Sequence, residues 1–286
     1  MVNHTQQQQK TSLQKEHLQG MEHLKMSILS IQSPYPSIAR IVGKIHTEQP
    51  DNWGASNPAM RLLLDQPNGQ SPISRVYTIR SFDEASSEIE IDMVKHEGTS
   101  PAMQWLDHVS VGDTVDIIGA RPHFTPNFDE NKHVIMFADD TAIPAIYSIL
   151  SHWKKGVRAD IYVESHEKDI LLQLPKNDLI KMHLHHVKHD DSVHHAQQGW
   201  LLSQAYAIQD LNNKTIWAAC ERNEARALRE YFVENNKMLK ADVQISGYWK
   251  SGISSTELDE VRARHYLEHT QQGKTLAEYD DLDMPS

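Results

Sequence analysis

Residues His133 to Ser165 read HVIMFADDTAIPAIYSILSHWKKGVRADIYVES, and the texture of this stretch decides the fold. HVIMFAD is a short, unbroken apolar run of strand length, TAIPAIYSILSHWKK carries helical spacing, and VRADIYVES returns to strand character. A strand, a helix and a second strand so close together form a βαβ unit, which requires a parallel sheet. Asp140 or Thr141 is placed to cap the helix, and Pro144 falls in its first turn, where a missing N–H costs nothing.

Downstream, the same alternation continues through DILLQL, a histidine-rich segment, the helix GWLLSQAYAIQDL, the strand TIWAAC, the helix NEARALREYFVENN and the strand ADVQISGYW. An α/β domain over residues 129–252 is therefore expected. Upstream, residues 31–128 break into short runs, SIARIVGKI, MRLLLDQ, SRVYTIRSF, EIEIDMVKH and DTVDIIGA, separated by turn-rich pieces such as PDNWGASNP and QPNGQSP. In EIEIDMV, Ile89, Ile91 and Met93 fall on one face while Glu88, Glu90 and Asp92 fall on the other, the pattern of an antiparallel barrel or sandwich. Residues 1–30 hold a glutamine run followed by Leu13, Leu18, Met21, Leu24 and Leu29, spaced for one helical face, and are expected to be a tail or packing helix. Residues 253–286 are expected to form an acidic surface helix and a frayed tail, with folding back over a cleft as the alternative.

A chain of 286 residues is long enough for two domains sharing a cleft. Its formal charge of -11 argues against nucleic acid or an anionic membrane as partner, so an anionic ligand must meet local cations. The single cysteine, Cys220, excludes an internal disulfide, a cysteine zinc cage and a cysteine-ligated iron–sulfur cluster. No apolar stretch is long enough to span a bilayer, and MVNHTQQQQK does not read as a secretion signal, so a cytoplasmic protein is expected. His183, His185, His186, His189, His194 and His195 could bind nickel or zinc fortuitously, but without an HExxH pair no physiological metal site is expected.

Two motifs carry chemistry. In RVYTIR, Arg75 and Tyr77 share one face of a strand and Thr78 points the other way. That set can serve one cofactor, with a guanidinium for pyrophosphate, a phenol ring against a flavin and a hydroxyl near its N5. In HEGTSPAMQW, Ser100 as cap and Pro101 at the first helical position would aim free amides at an anion. Each motif alone also fits an ordinary strand or a capped helix.

Taken in order, RVYTIR, HEGTSPAMQW, ADDTAIPAIYSIL and WAACERNEARALREYF followed by GYWKSG resemble the siderophore-interacting protein family, a branch of the ferredoxin-NADP reductase superfamily. The resemblance implies an N-terminal antiparallel Greek-key β-barrel that binds FAD, followed by a parallel α/β sheet domain for the reductant. It places Arg75, Val76, Tyr77, Thr78, Asp92, Val94, His96, Thr99, Ser100, Pro101, Ala102, Trp105 and Thr141 at the cofactor, with Thr78 near N5 and Trp105 fixing its helix. Thr141, Pro144, Cys220 and Glu221 fall in the nicotinamide region, where Cys220 replaces a glycine of the family pattern and narrows the approach. Lys250, Trp249, Arg121 and His123 are implied at the substrate. The implied activity is FAD-dependent reduction of a ferric siderophore, with NADH, NADPH or a ferredoxin-type protein as donor. A same-fold flavin reductase with another acceptor, or a non-catalytic siderophore-binding protein, would share these landmarks.

Overall fold

A computed structural model describes residues 20–65, 72–96, 100–188, 199–272 and 282. Six strands close an antiparallel barrel in the order β1-β2-β5-β4-β3-β6: β1 (Glu22–Tyr35), β2 (Ile38–Lys44), β3 (Pro58–Leu64), β4 (Ile73–Asp83), β5 (Glu88–Val94) and β6 (Thr114–Pro122). Ile89, Ile91 and Met93 are fully buried in its core, as their alternation predicts, and α1 (Pro101–His108) plugs the barrel with Ala102 and Met103. The expected N-terminal helix is corrected over its described part, because Glu22–Tyr35 is the first barrel strand. Leu24, Met26 and Ile28 alternate onto the core while Leu29 is exposed on the other face, so the spacing that suggests a helix is served by a bulged strand. Residues 1–19 lie outside the described set.

The second domain is a five-stranded parallel sheet in the order β11-β10-β7-β8-β9: β7 (His133–Ala138), β8 (Arg158–Ser165), β9 (Ile180–His186), β10 (Lys214–Glu221) and β11 (Val243–Trp249). Strand β7 sits at its centre, buried on both faces, which explains its unbroken apolar run. Helices α2 (Ile143–Ser151), α3 (Trp200–Ala207) and α4 (Arg222–Arg229) cover the sheet. After β11, α5 (Ser255–Gln271) returns to the barrel.

Two details of the α/β domain differ from the sequence reading. DILLQL forms a single tight turn at Ile170–Gln173, and the next strand is Ile180–His186, inside the histidine-rich run. Its histidines are strand residues: His183 pairs with Asp160 at 2.8 Å and His185 with Glu164 at 3.0 Å, while their rings stack on Tyr162 and Trp200. His189, His194 and His195 lie outside the described residues.

The domains are bound to each other through buried polar contacts. Asp92 accepts from Arg40 Nε at 2.7 Å and Nη2 at 2.9 Å, and from Arg80 Nη1 at 3.3 Å. Arg80 lies 3.7 Å over the ring of Tyr147 in α2, and Arg40 reaches Gln173 at 2.6 Å, so the cluster joins the barrel to the sheet domain. Asn57, fully buried with φ of 53°, donates its backbone N–H to Ser148 Oγ in α2 at 2.9 Å. A short polar side chain tolerates that left-handed turn, and Asn57 Nδ2 donates at 2.6 Å to the Phe124 carbonyl, which also accepts from Trp217 Nε1 of β10 at 2.9 Å.

Candidate functional site

Strand β4 carries the first wall of the site. Arg75 and Tyr77 stand opposite the buried Leu62 and Met60, whereas Val76 and Thr78 stand opposite Arg61 and Ala59 on the other face. Arg75 is only 8% exposed. Its Nη1 donates to the Ser74 carbonyl at 2.8 Å and its Nη2 to Thr256 Oγ1 at 2.5 Å, with Asp259 of α5 at 3.7 Å. Burial lowers the pKa of this guanidinium more than Asp259 raises it. Arg61 is depressed in the same way, with Arg121 and Arg262 adding repulsion and Asp259 opposing it. Inside an acidic chain, this is a local cluster of cations, and Asp259 is the carboxylate that acts on both Arg61 and Arg75 among the described residues.

The second wall is the start of α1. Ser100 Oγ accepts from Met103 N at 3.2 Å and lies 3.3 Å from His96 Nε2, while Pro101 opens the helix. Trp105 packs on the barrel core and fixes the helix axis. Thr99 lies outside the described residues. A buried guanidinium on β4 and a capped helix start are each groups that suit a pyrophosphate, and the Tyr77 ring with the Thr78 hydroxyl one position on suits an aromatic head with a polar edge. This donor set fits FAD.

The third wall is the crevice at the carboxyl ends of β7 and β10, where the strand order reverses; open α/β sheets bind ligands at such a point. Asp139 ends β7. Its Oδ1 accepts from Thr141 N at 2.9 Å and from Thr141 Oγ1 at 2.5 Å, and its Oδ2 accepts from Trp249 Nε1 at 2.7 Å. Burial pushes its carboxyl up to about 6 against those bonds. Trp249 is thus held while its ring stays 41% exposed. Tyr248, one residue earlier, lies against β4: burial drives its phenol up to about 12, while hydrogen bonds to Thr78 and Asn57 act the other way. Gly247 makes this approach possible, since a Cβ there would lie 3.0 Å from the Arg222 backbone. Pro144 is buried in the first turn of α2. The turn after Trp249 presents Lys250, and the exposed Arg121 stands on β6 opposite Ala59.

Three expected roles change in this setting. His123 is enclosed between Phe124 and Tyr248, at 5.5 and 5.8 Å between ring centres, and burial pushes its pKa down to about 4. An uncharged imidazole at this place would offer a substrate a hydrogen bond rather than a positive charge. Asp92 gives both carboxylate oxygens to the interdomain arginines, so its side chain belongs to the domain joint. Glu221 is similarly committed. Its Oε2 caps α4 through Asn223 N at 2.6 Å and its Oε1 accepts Ser251 N at 3.0 Å, so it fixes the turn carrying Lys250. Cys220 is fully buried and its thiol is raised by burial and then by Asp139, Glu224, Glu221 and Glu164, which makes it a packing residue with no thiolate character. Asp139, Asn57, Arg61 and the α5 pair Thr256 and Asp259 had no local sequence signal; only the chain's return brings them together.

Behind the crevice, Glu224 accepts from Leu202 N at 3.1 Å, in a space that exists because residue 199 is glycine. Burial pushes its carboxyl to about 7, helped by Glu164, Asp139 and Glu221 and opposed by the Leu202 bond. A folded pKa above the unfolded value of 4.5 means that the contribution is fully present below pH 4.5 and lost as pH rises through about 7. Glu224→Gln keeps an acceptor for Leu202 and removes the titration. In urea unfolding the variant is expected to match wild type near pH 4.5 and to be more stable by roughly 1–3 kcal/mol at pH 8. Equal stabilities at pH 8 would contradict that account.

Comparison with known proteins agrees with this geometry. A family model described as the siderophore-interacting FAD-binding domain matches residues 33–124, and one described as siderophore-interacting protein matches residues 131–252. The ferric acinetobactin reductase of Acinetobacter baumannii is 58% identical over 271 residues, covering 95% of this chain and 93% of that one. The ferric vibriobactin reductase ViuB of Vibrio cholerae is 22% identical over 193 residues, covering 67% and 69%. A solved structure of the siderophore-interacting protein from Acinetobacter baumannii superposes with a TM-score of 0.82 at 56% identity, covering 88% of this chain and all of that one. SipS from Aeromonas hydrophila, at 21% identity and a TM-score of 0.70 over 86% and 98% of the two chains, shares the fold.

Proposed function

The chain belongs to the siderophore-interacting protein family, and from that premise we propose that it is a FAD-dependent reductase acting on the iron of a ferric siderophore. The observation that carries the proposal is the meeting of the GYWKSG turn with the flavin strand, Tyr248 against Thr78 and Trp249 held on Asp139. Arg75, Tyr77 and Thr78 would hold the cofactor on the strand that Tyr248 touches, with Lys250 following Trp249 in the chain and Arg121 on β6 opposite Ala59.

FAD, when bound, supplies acceptance of an electron pair and its release in single steps. The protein's own residues do the rest. Arg75 and the start of α1 bind the phosphates, Thr78 orients the ring edge, and Tyr77 and Tyr248 exclude water around it. Lys250 and Arg121 attract an anionic ferric complex to that edge. Hard oxygen donors hold ferric iron tightly; one electron makes it ferrous and weakens that hold, so that the metal is released.

The electron donor is proposed to be NADH or NADPH entering the crevice between β7 and β10, or a ferredoxin-type protein docking at its mouth. The support is the position of the crevice at the switch point of the sheet, with Thr141, Pro144, Cys220 and Glu221 around it. No helix among the described residues is long and apolar enough to cross a membrane, and release of iron in the cytoplasm is proposed with the activity.

The substrate role of Lys250 has its own test. Lys250→Gln is expected to raise the KM for an anionic ferric siderophore about tenfold, with kcat nearly unchanged, because a lost attraction of about 1.4 kcal/mol acts on binding. An unchanged KM would place the complex elsewhere.

A further inference from the structure

The C-terminal helix α5 makes a contact that the flavin reading does not use. Thr256 and Asp259, one turn apart, both face the guanidinium of Arg75: Thr256 Oγ1 accepts from Nη2 at 2.5 Å and the Asp259 carboxylate lies 3.7 Å from Nη1. Asp259 is 45% exposed on its side chain and also meets Arg262 at 3.3 Å, while Arg262 reaches back to the Gly247 carbonyl at 3.4 Å. Leu258, between them, is 4% exposed and anchors the helix. The helix therefore runs from the strand bearing Tyr248 and Trp249 to the arginine on the flavin strand.

The quality of this contact matters. A nearly buried guanidinium needs a close anion, and a bidentate carboxylate would sit below about 3 Å from its nitrogens. Asp259 stands back from that distance, shares its charge with Arg262 and is half in water. Arg75 thus remains undercompensated, next to Arg61, which is in the same condition. A pyrophosphate would complete the pairing, and its charge would meet the Asp259 carboxylate as a like charge close by.

We propose that α5 sets the affinity of the flavin phosphate site, with Thr256 and Asp259 holding Arg75 in place of phosphate and yielding it when the dinucleotide binds. This rests on the assignment of Arg75 to the FAD pyrophosphate. Asp259 is a positioning residue that acts through Arg75, and its carboxylate weakens retention of the flavin by competition and repulsion.

Binding of FAD to flavin-stripped full-length protein, followed by quenching of flavin fluorescence at low and high salt, tests the idea. Asp259→Asn is expected to tighten FAD binding three- to tenfold at low salt, with the gain shrinking as salt screens the repulsion. Thr256→Val, which removes the hydroxyl and keeps the charge, is expected to tighten it less than threefold. Amide exchange across residues 255–262 is expected to rise when FAD is added to wild type. An unchanged or weaker affinity in Asp259→Asn, or exchange that slows on FAD addition, overturns the proposal. Arg75→Ala separates the two readings: if it binds FAD as wild type does, the phosphate assignment of Arg75 fails, whatever Asp259→Asn does.

Discussion

Arg75→Ala is expected to purify nearly free of flavin, with FAD affinity reduced about 100-fold. The size of the effect follows from burial. Arg75 is enclosed, its aliphatic stem lies against the barrel and its charge is poorly matched by Asp259. Losing a desolvated, charge-assisted pairing to phosphate costs far more than losing one at the surface. Arg75→Lys keeps the charge without the planar fork and is expected to fall between, about tenfold weaker than wild type. Equilibrium binding checks both, with circular dichroism to confirm folding; an alanine variant that keeps its flavin would move the phosphate site away from β4.

The second large effect concerns stability and leaves the flavin alone. Asp92→Asn is expected to cost about 3–5 kcal/mol, because it takes the hydrogen-bonded anion from the enclosed Arg40 and leaves Arg80 only the more distant Glu90 at 3.6 Å. For a chain of this size the unfolding midpoint is expected to fall by roughly 10 °C. Since Arg80 and Arg40 also touch Tyr147 and Gln173, the loss spreads across the domain joint. Calorimetry checks the drop, and FAD affinity measured well below the midpoint is expected to stay within about threefold of wild type. Stability unchanged with FAD affinity lost would return Asp92 to the cofactor.

The architecture was legible because its signals are local. HVIMFAD is apolar on both faces because β7 is buried on both faces, and EIEIDMV alternates because β5 has one face in the barrel core. The peripheral segment misled because Leu18, Met21, Leu24 and Leu29 fit a helical face, while only pairing with β2 and β6 makes Glu22–Tyr35 a strand. DILLQL misled for a related reason. A short apolar run says that a segment is buried, and Ile170 and Leu174 are buried, but it does not distinguish a turn from a strand.

Arg75, Tyr77 and Thr78 on one strand and Ser100 at one helix start, the residues proposed to hold the cofactor, could be picked out because each set lies within a single element. The site was not legible where chemistry depends on burial or on residues far apart in sequence. His123 is implied at the substrate and lies with its ring against Tyr248, where burial lowers its pKa; Asp92 is implied at the cofactor and gives both carboxylate oxygens to Arg40 and Arg80 at the domain joint. Arg75 and Asp259 are far apart in the chain, and nothing at either position announces the other.

The most direct test of the central claim is an anaerobic titration of the photoreduced FAD-bound protein with a ferric siderophore, reading flavin absorbance and chelator-trapped ferrous iron together. The account predicts reoxidation of the flavin in step with ferrous formation, two irons for each flavin fully reduced. Flavin that stays reduced, with no ferrous iron formed across siderophores of several chemical classes, would contradict it.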